Sequence, residues 1–197
     1  MKRIRFSSTL FFILILGPLL FGFDDNPSSN FIRYSAPEFL SFDELVSLSK
    51  NPYPSGPLFS KLKKLWTTPI VSNEAYHHGV RPPARHHPRL GPFLRVATWN
   101  IEKSFEVERA ITVFTDRQNY QSMIDSSKTS PSSEKYQAAL YERDLLQEAD
   151  IVLLQEMDIG VKRSDYRNAP KELAEALGMN YAYGAAYLEI DPAYLGF

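Results

Sequence analysis

Two short apolar runs, each closed by polar side chains of particular kinds, constrain this chain more than anything else in it. RVATWNIEKS, residues 95–104, runs through Val96, Ala97, Thr98 and Trp99 into Asn100, with Glu102 two residues further on. ADIVLLQEMD, residues 149–158, runs from Ile151 through Leu154 into Gln155 and Glu156. Four apolar residues bounded by acids are too few for a helix and predict a strand covered on both faces. In open α/β sheets ligands gather outside the carboxyl ends of the strands, where polar groups delivered by neighbouring strands converge. A carboxylate left dry and unpaired at such a place is costly, so Glu156 should meet a cation or water. Magnesium fits, because it takes one or two protein carboxylates, keeps several waters and completes its shell with phosphate. On spacing alone the commoner arrangement is a Glu156 that is merely solvated and an Asn100 that makes a turn.

Around these runs the pattern alternates. Val107, Ala110, Ile111 and Phe114 fall at helical intervals and predict a helix over roughly 105–124. The polar stretch SSKTSPSSE, residues 126–134, breaks it, and a second helix is expected from Tyr136 to Glu148, with Tyr136, Ala139, Leu140 and Leu146 inward. NAPKELAEALG carries its own punctuation: Asn168 as N-cap, Pro170 in the first turn, Gly178 as terminator. NYAYGAAYLEI, residues 180–190, reads as a third strand, with Tyr181, Tyr183 and Tyr187 packing rather than stacking on a ligand. Strand and helix in alternation mark the α/β class.

The residues before Phe93 have a different texture. Residues 24–92 read as a proline-rich strap, with pieces such as NPYPSGP and GVRPPARHHPRLGP that favour extended backbone. Two short helices are expected in it. One is SFDELVSLSK, with Ser41 and Glu44 as a capping box and Phe42, Leu45, Val46 and Leu48 as its stripe. The other is LFSKLKKLW, with Leu58, Leu62 and Leu65 opposite lysines. All four histidines, His77, His78, His86 and His87, lie here among prolines, an arrangement of a solvated linker rather than of a zinc site. At the start, Lys2, Arg3 and Arg5 precede an uncharged run from Phe6 to Phe23, so residues 1–23 read as a signal peptide or an uncleaved signal anchor. Export, to periplasm or medium or held at a membrane, is the expectation. Cysteine is absent, which excludes disulfides, thiolate metal sites and cysteine nucleophiles.

The wording of the two runs resembles the opening half of the endonuclease/exonuclease/phosphatase superfamily. One core strand in that family ends in Trp-Asn and a later one in Gln-Glu, and DIGVKRSDYRNAPKELAEALGMNYAYG is similar to its bacterial metal-dependent hydrolases. The likeness covers Phe93 to Phe197. It implies the first half of a two-sheet α/β sandwich over 93–197, incomplete at its C-terminus, behind the strap and the leader. It implies Glu156 as principal ligand of magnesium or manganese and Asn100 beside the metal, both in the catalytic centre. Glu102 would be either a helper of that centre or a helix-start acid. Arg163 and Arg167 are candidates for gripping substrate phosphate, because guanidinium meets phosphate two-pronged.

The same resemblance implies a histidine–aspartate pair and an Asp-x-Asn element that activate water, and neither is present: His87 is the last histidine. The sequence therefore reads as the N-terminal portion of a longer phosphoesterase, inactive by itself. Its substrate would be a phosphate ester, whether nucleic acid, phospholipid headgroup or small phosphodiester. The net charge of −1, and Met157–Asp158 after Gln-Glu where abasic endonucleases of the family carry threonine and lysine, disfavour a strong grip on DNA. The rival expectation is a membrane-tethered binding module on the same fold, without catalysis. No protein partner is expected.

Overall fold

The computed structural model describes residues 31–125 and 127–190; the leader expected over 1–23 lies outside them, as does the stretch from Asp191 to Phe197. In chain order the elements are β1 (Tyr34–Ser35), α1 (Phe42–Lys50), α2 (Gly56–Thr67), β2 (Ile70–Ser72), α3 (Glu74–His77), β3 (His86–His87), β4 (Gly91–Pro92), β5 (Val96–Asn100), α4 (Val107–Thr115), α5 (Arg117–Met123), α6 (Glu134–Gln147), β6 (Ile151–Gln155), α7 (Ala169–Leu177) and β7 (Tyr181–Tyr183). The class is mixed α/β, with seven α-helices and small sheets among the described residues. No helix among those residues is long and apolar enough to cross a membrane.

Two compact units divide the chain, and the division does not fall at residue 92, where the change of composition puts it. One unit spans Pro82–Met157; the other joins residues 31–81 to residues 158–190. The strap is thus shared between them: its last eleven residues, 82–92, belong to the first unit.

In the Pro82–Met157 unit, β5 and β6 pair in parallel, in register from Val96 opposite Ile151 to Asn100 opposite Gln155. Helices α4, α5 and α6 pack together beside them. Trp99 turns to this side, its ring 5.9 Å from that of Phe114, and Ala97, Val107, Ala110, Val113, Tyr120, Leu140 and Leu146 are buried. The expectation of a strand covered on both faces fails for β6. Ile151 remains 41% exposed and Leu153 52%, because the helices of this unit lie on the Trp99 side and nothing described covers the other. The start of the pair is clamped by the strap: Arg85 donates to both oxygens of Asp150 at 2.8 and 2.9 Å, and the Arg95 amide donates to the same carboxylate at 2.8 Å.

The single helix expected over 105–124 is two. Asp116 ends α4 and caps α5, its side chain accepting from the Asn119 amide at 2.9 Å, and an N-cap in the middle of a run stops one helix to begin another. Arg143 of α6, 3% exposed, donates to the carbonyls of Val113 (2.9 Å) and Phe114 (3.1 Å), so a buried cation closes the carbonyl end of α4. Its third nitrogen, Nη1, donates to Asp144 and Gln147. Asp144, also met by Arg117, has its pKa lowered: burial opposes the charged form, but the two guanidiniums outweigh it.

In the other unit β2 lies between β1 and β7, antiparallel to both. Leu48, Leu62, Leu65 and Ile70 from the strap share its interior with Ala169, Leu173 and Ala174 of α7. The capping box of α1 forms as expected: the Glu44 amide donates to Ser41 Oγ at 3.2 Å, and the Ser41 amide to Glu44 Oε2 at 2.7 Å. Helix α7 opens on Asn168, whose Oδ1 accepts from the Lys171 amide, and closes on Gly178 at φ +60°. Gly178 sits where only glycine is at ease. The strand expected over 180–190 is ordered as β7 only to Tyr183.

Candidate metal and phosphate site at two strand ends

The parallel register delivers Asn100 and Gln155 to the same level, and the ladder continues one step beyond it, the Ile101 amide donating to the Gln155 carbonyl at 3.2 Å. The chain then turns sharply in both strands. Glu156 takes a left-handed conformation at φ +59°, which aims its side chain back across the strand ends. There Asn100 Nδ2 donates to Glu156 Oε1 at 2.8 Å, and Asn100 Oδ1 accepts from the Glu102 amide at 2.9 Å. The second bond fixes the first: a backbone N–H can only donate, so the carboxamide must present oxygen to it and nitrogen to the acid. Asn100, Glu102 and Glu156 are all exposed, and among the described residues no donor reaches Glu156 Oε2.

The turn after β5 is strained. Glu102, Lys103 and Ser104 are left-handed in succession, at φ +50°, +58° and +54°. For residues with a side chain, each costs about 1–2 kcal/mol. Ser104 holds the turn from below: it is buried, its amide donates to the Ile101 carbonyl at 3.3 Å, and its hydroxyl to the Glu156 carbonyl at 3.4 Å. Four left-handed residues, none of them glycine, therefore converge on one amide–carboxylate pair. Strain of this density collects at ligand sites, where the surrounding structure must hold what the backbone resists.

A hard, water-keeping cation suits this donor set. One accessible carboxylate with an uncommitted oxygen, a neutral amide and open solvent match magnesium or manganese, which need few protein ligands. They do not match zinc, which prefers nitrogen and sulfur. No three histidine, aspartate or glutamate side chains converge as a ready-made cage among the described residues. Asn100 meets Glu156 as a hydrogen-bond donor, so in this arrangement it orients the acid rather than standing beside it as a second oxygen ligand.

The two arginines expected to grip phosphate are otherwise engaged. Arg163, in the unit containing residues 158–190, donates to both oxygens of Asp158 at 2.7 and 2.9 Å, to Glu189 at 3.1 Å and to the Tyr187 hydroxyl at 2.8 Å. Its pKa is raised, chiefly by the hydrogen bonds to Asp158. A phosphate gripped by Arg163 would have to displace one of these carboxylates. Arg167 pairs with Glu172 on α7. The histidines are exposed and split between the units, His77 and His78 in one, His86 and His87 in the other.

Reading the sequence missed two residues that the structure makes important. Ser104 gave no signal. Arg143 did, since it falls three residues from both Leu140 and Leu146, on the inward stripe of its helix. Comparison with protein-family models, with curated proteins and with solved structures finds no match for the chain.

Proposed function

We propose that this chain holds the metal of an exported magnesium-dependent phosphoesterase of the endonuclease/exonuclease/phosphatase type, its strands β5 and β6 lying in one sheet of a two-sheet sandwich. A single observation carries the proposal. Asn100 and Glu156, from strands 55 residues apart, meet at 2.8 Å at the carboxyl ends of a parallel pair, where α/β sheets bind their ligands. Glu156 would hold magnesium or manganese through Oε2. Asn100 keeps the acid in place, and its own orientation is set by the Glu102 amide. Bound there, the ion supplies Lewis acidity to a phosphoryl oxygen and charge to the leaving oxyanion. The chain's own residues contribute orientation: a neutral amide directs the carboxylate without adding charge that would repel phosphate. Water activation is not assigned to this chain, since no histidine follows His87.

The test is metal binding, not turnover. Manganese titrated into the chain should lose its free-ion electron-spin resonance signal. Glu156→Gln, which keeps size and removes charge, should restore that signal at every concentration below the millimolar range. Asn100→Ala should weaken binding about tenfold, the loss of one charge-assisted hydrogen bond. Undiminished binding by Glu156→Gln would end the assignment. The second reading is a membrane-tethered binding module on the same fold. It predicts metal-dependent retention of a phosphodiester without its hydrolysis.

A further inference from the structure

Residues 100–104 hold Glu156 by its side chain and by the peptides on either side of it. The peptide before Glu156 is pinned by the Ile101 amide, which donates to the Gln155 carbonyl at 3.2 Å. The peptide after it is met by the Ser104 hydroxyl, which donates to the Glu156 carbonyl at 3.4 Å. The carboxylate itself accepts from Asn100 Nδ2 at 2.8 Å. A residue has two soft backbone rotations, one toward each flanking peptide, so fixing both peptides fixes where its Cβ points. At φ +59° that direction is one Glu156 would leave if released, because the left-handed region costs a residue with a side chain about 1–2 kcal/mol.

Ser104 sits at φ +54° and is 2% exposed, a place where glycine would be at ease and where a hydroxyl must find a hydrogen bond. Its amide closes the turn on the Ile101 carbonyl at 3.3 Å and would do so with any side chain. The hydroxyl is the part this turn does not need, and it crosses 52 residues of sequence to reach Glu156. We infer that Ser104 is a positioning residue of the strand-end site. Through the Glu156 carbonyl its hydroxyl locks the left-handed backbone that brings the carboxylate to Asn100 and leaves Oε2 uncommitted. The bond is long, so it selects a direction rather than adding much strength. Its consequence for metal affinity rests on the reading of Glu156 as the metal's acid; its consequence for where that acid points does not.

Nuclear magnetic resonance of the full chain, isotopically labelled in its asparagines, reads the position of the acid without any metal. The carboxamide protons of Asn100 are the pair that disappears in Asn100→Ala. In the native chain they report the bond to Glu156, and Glu156→Ala gives their positions without it. Ser104→Ala and Ser104→Gly should both move the pair to the Glu156→Ala positions. In parallel, each should weaken manganese binding about fivefold, the share of one hydrogen bond. The glycine variant separates positioning from mere support. Glycine is at ease at φ +54°, so Ser104→Gly should melt no lower than Ser104→Ala, while the acid is released all the same. Should the alanine variant fail to fold, the glycine variant decides alone. An Asn100 pair that keeps its native positions in a folded variant overturns the inference, whatever manganese does. A pair that moves in a chain to which manganese never binds upholds Ser104 and ends the metal reading instead.

Discussion

Glu156 and Asp158 stand two residues apart in sequence and live in opposite circumstances. Glu156 is exposed, turned by a left-handed backbone and touched by one neutral amide. Asp158 is buried, and both its oxygens are taken by one guanidinium. The Asp158 cluster resembles a salt-bridged core: one guanidinium is shared by two carboxylates and a hydroxyl, and all three of its nitrogens are engaged. At Glu156 the negative charge is steered but not cancelled, and the backbone is held in a shape it would not choose. The contrast teaches that the hydrogen-bonding partner, rather than the type of residue, separates an acid that builds the fold from one that remains open to chemistry.

The largest effect should come from the buried side of this comparison. Arg163→Met removes the guanidinium that neutralises the buried Asp158 carboxylate, and chemical denaturation should show a loss of about 3–5 kcal/mol. A loss below about 1 kcal/mol would mean that Asp158 finds water, and the contrast with Glu156 would dissolve. Next comes Tyr120, buried beside α6, its hydroxyl donating to the Ala139 carbonyl at 3.4 Å. Burial pushes its pKa up to about 12, from an ordinary value near 10. The folded form then keeps a proton that the unfolded form gives up, so stability should be intact below about pH 10 and fall by about 2–3 kcal/mol as the pH approaches 12. Tyr120→Phe should remove this share of the alkaline slope. Smallest, and of the opposite sign, is Glu156→Gly. Relief of the left-handed backbone should raise stability by about 1 kcal/mol while manganese binding disappears. If instead the glycine variant melts earlier, the conformation at residue 156 carries no strain.

Local signals were readable; meetings between distant parts were not. Ser41 with Glu44, and Asn168 with Pro170 and Gly178, announced helices α1 and α7 because a cap is written within a few residues. The two strand ends were readable for the same reason, and their polar closure pointed to the corner where Asn100 and Glu156 meet. The sheet of β1, β2 and β7 was not, since strands of two or three residues have no period and Ile70 pairs with Tyr183 across most of the chain. Arg163 looked like a ligand-gripping arginine because its partners Tyr187 and Glu189 arrive only after α7 and β7 have brought the chain back. Asp116, like Arg143, was a local signal that the apolar stripe of its neighbours masked: it is an N-cap inside an otherwise helical run.

The clamp of Arg85 and Arg95 on Asp150 and the parallel pairing beyond it have a kinetic consequence. A hairpin can zip from its turn, but β5 has no partner until three helices have been formed and β6 has followed them. Loop closure over 55 residues must precede any reward from the ladder, which places this pair among the late, slow steps of assembly. During synthesis Trp99 and its neighbours wait uncovered, and the acid at the end of β6 is therefore among the last groups of that unit to find its place.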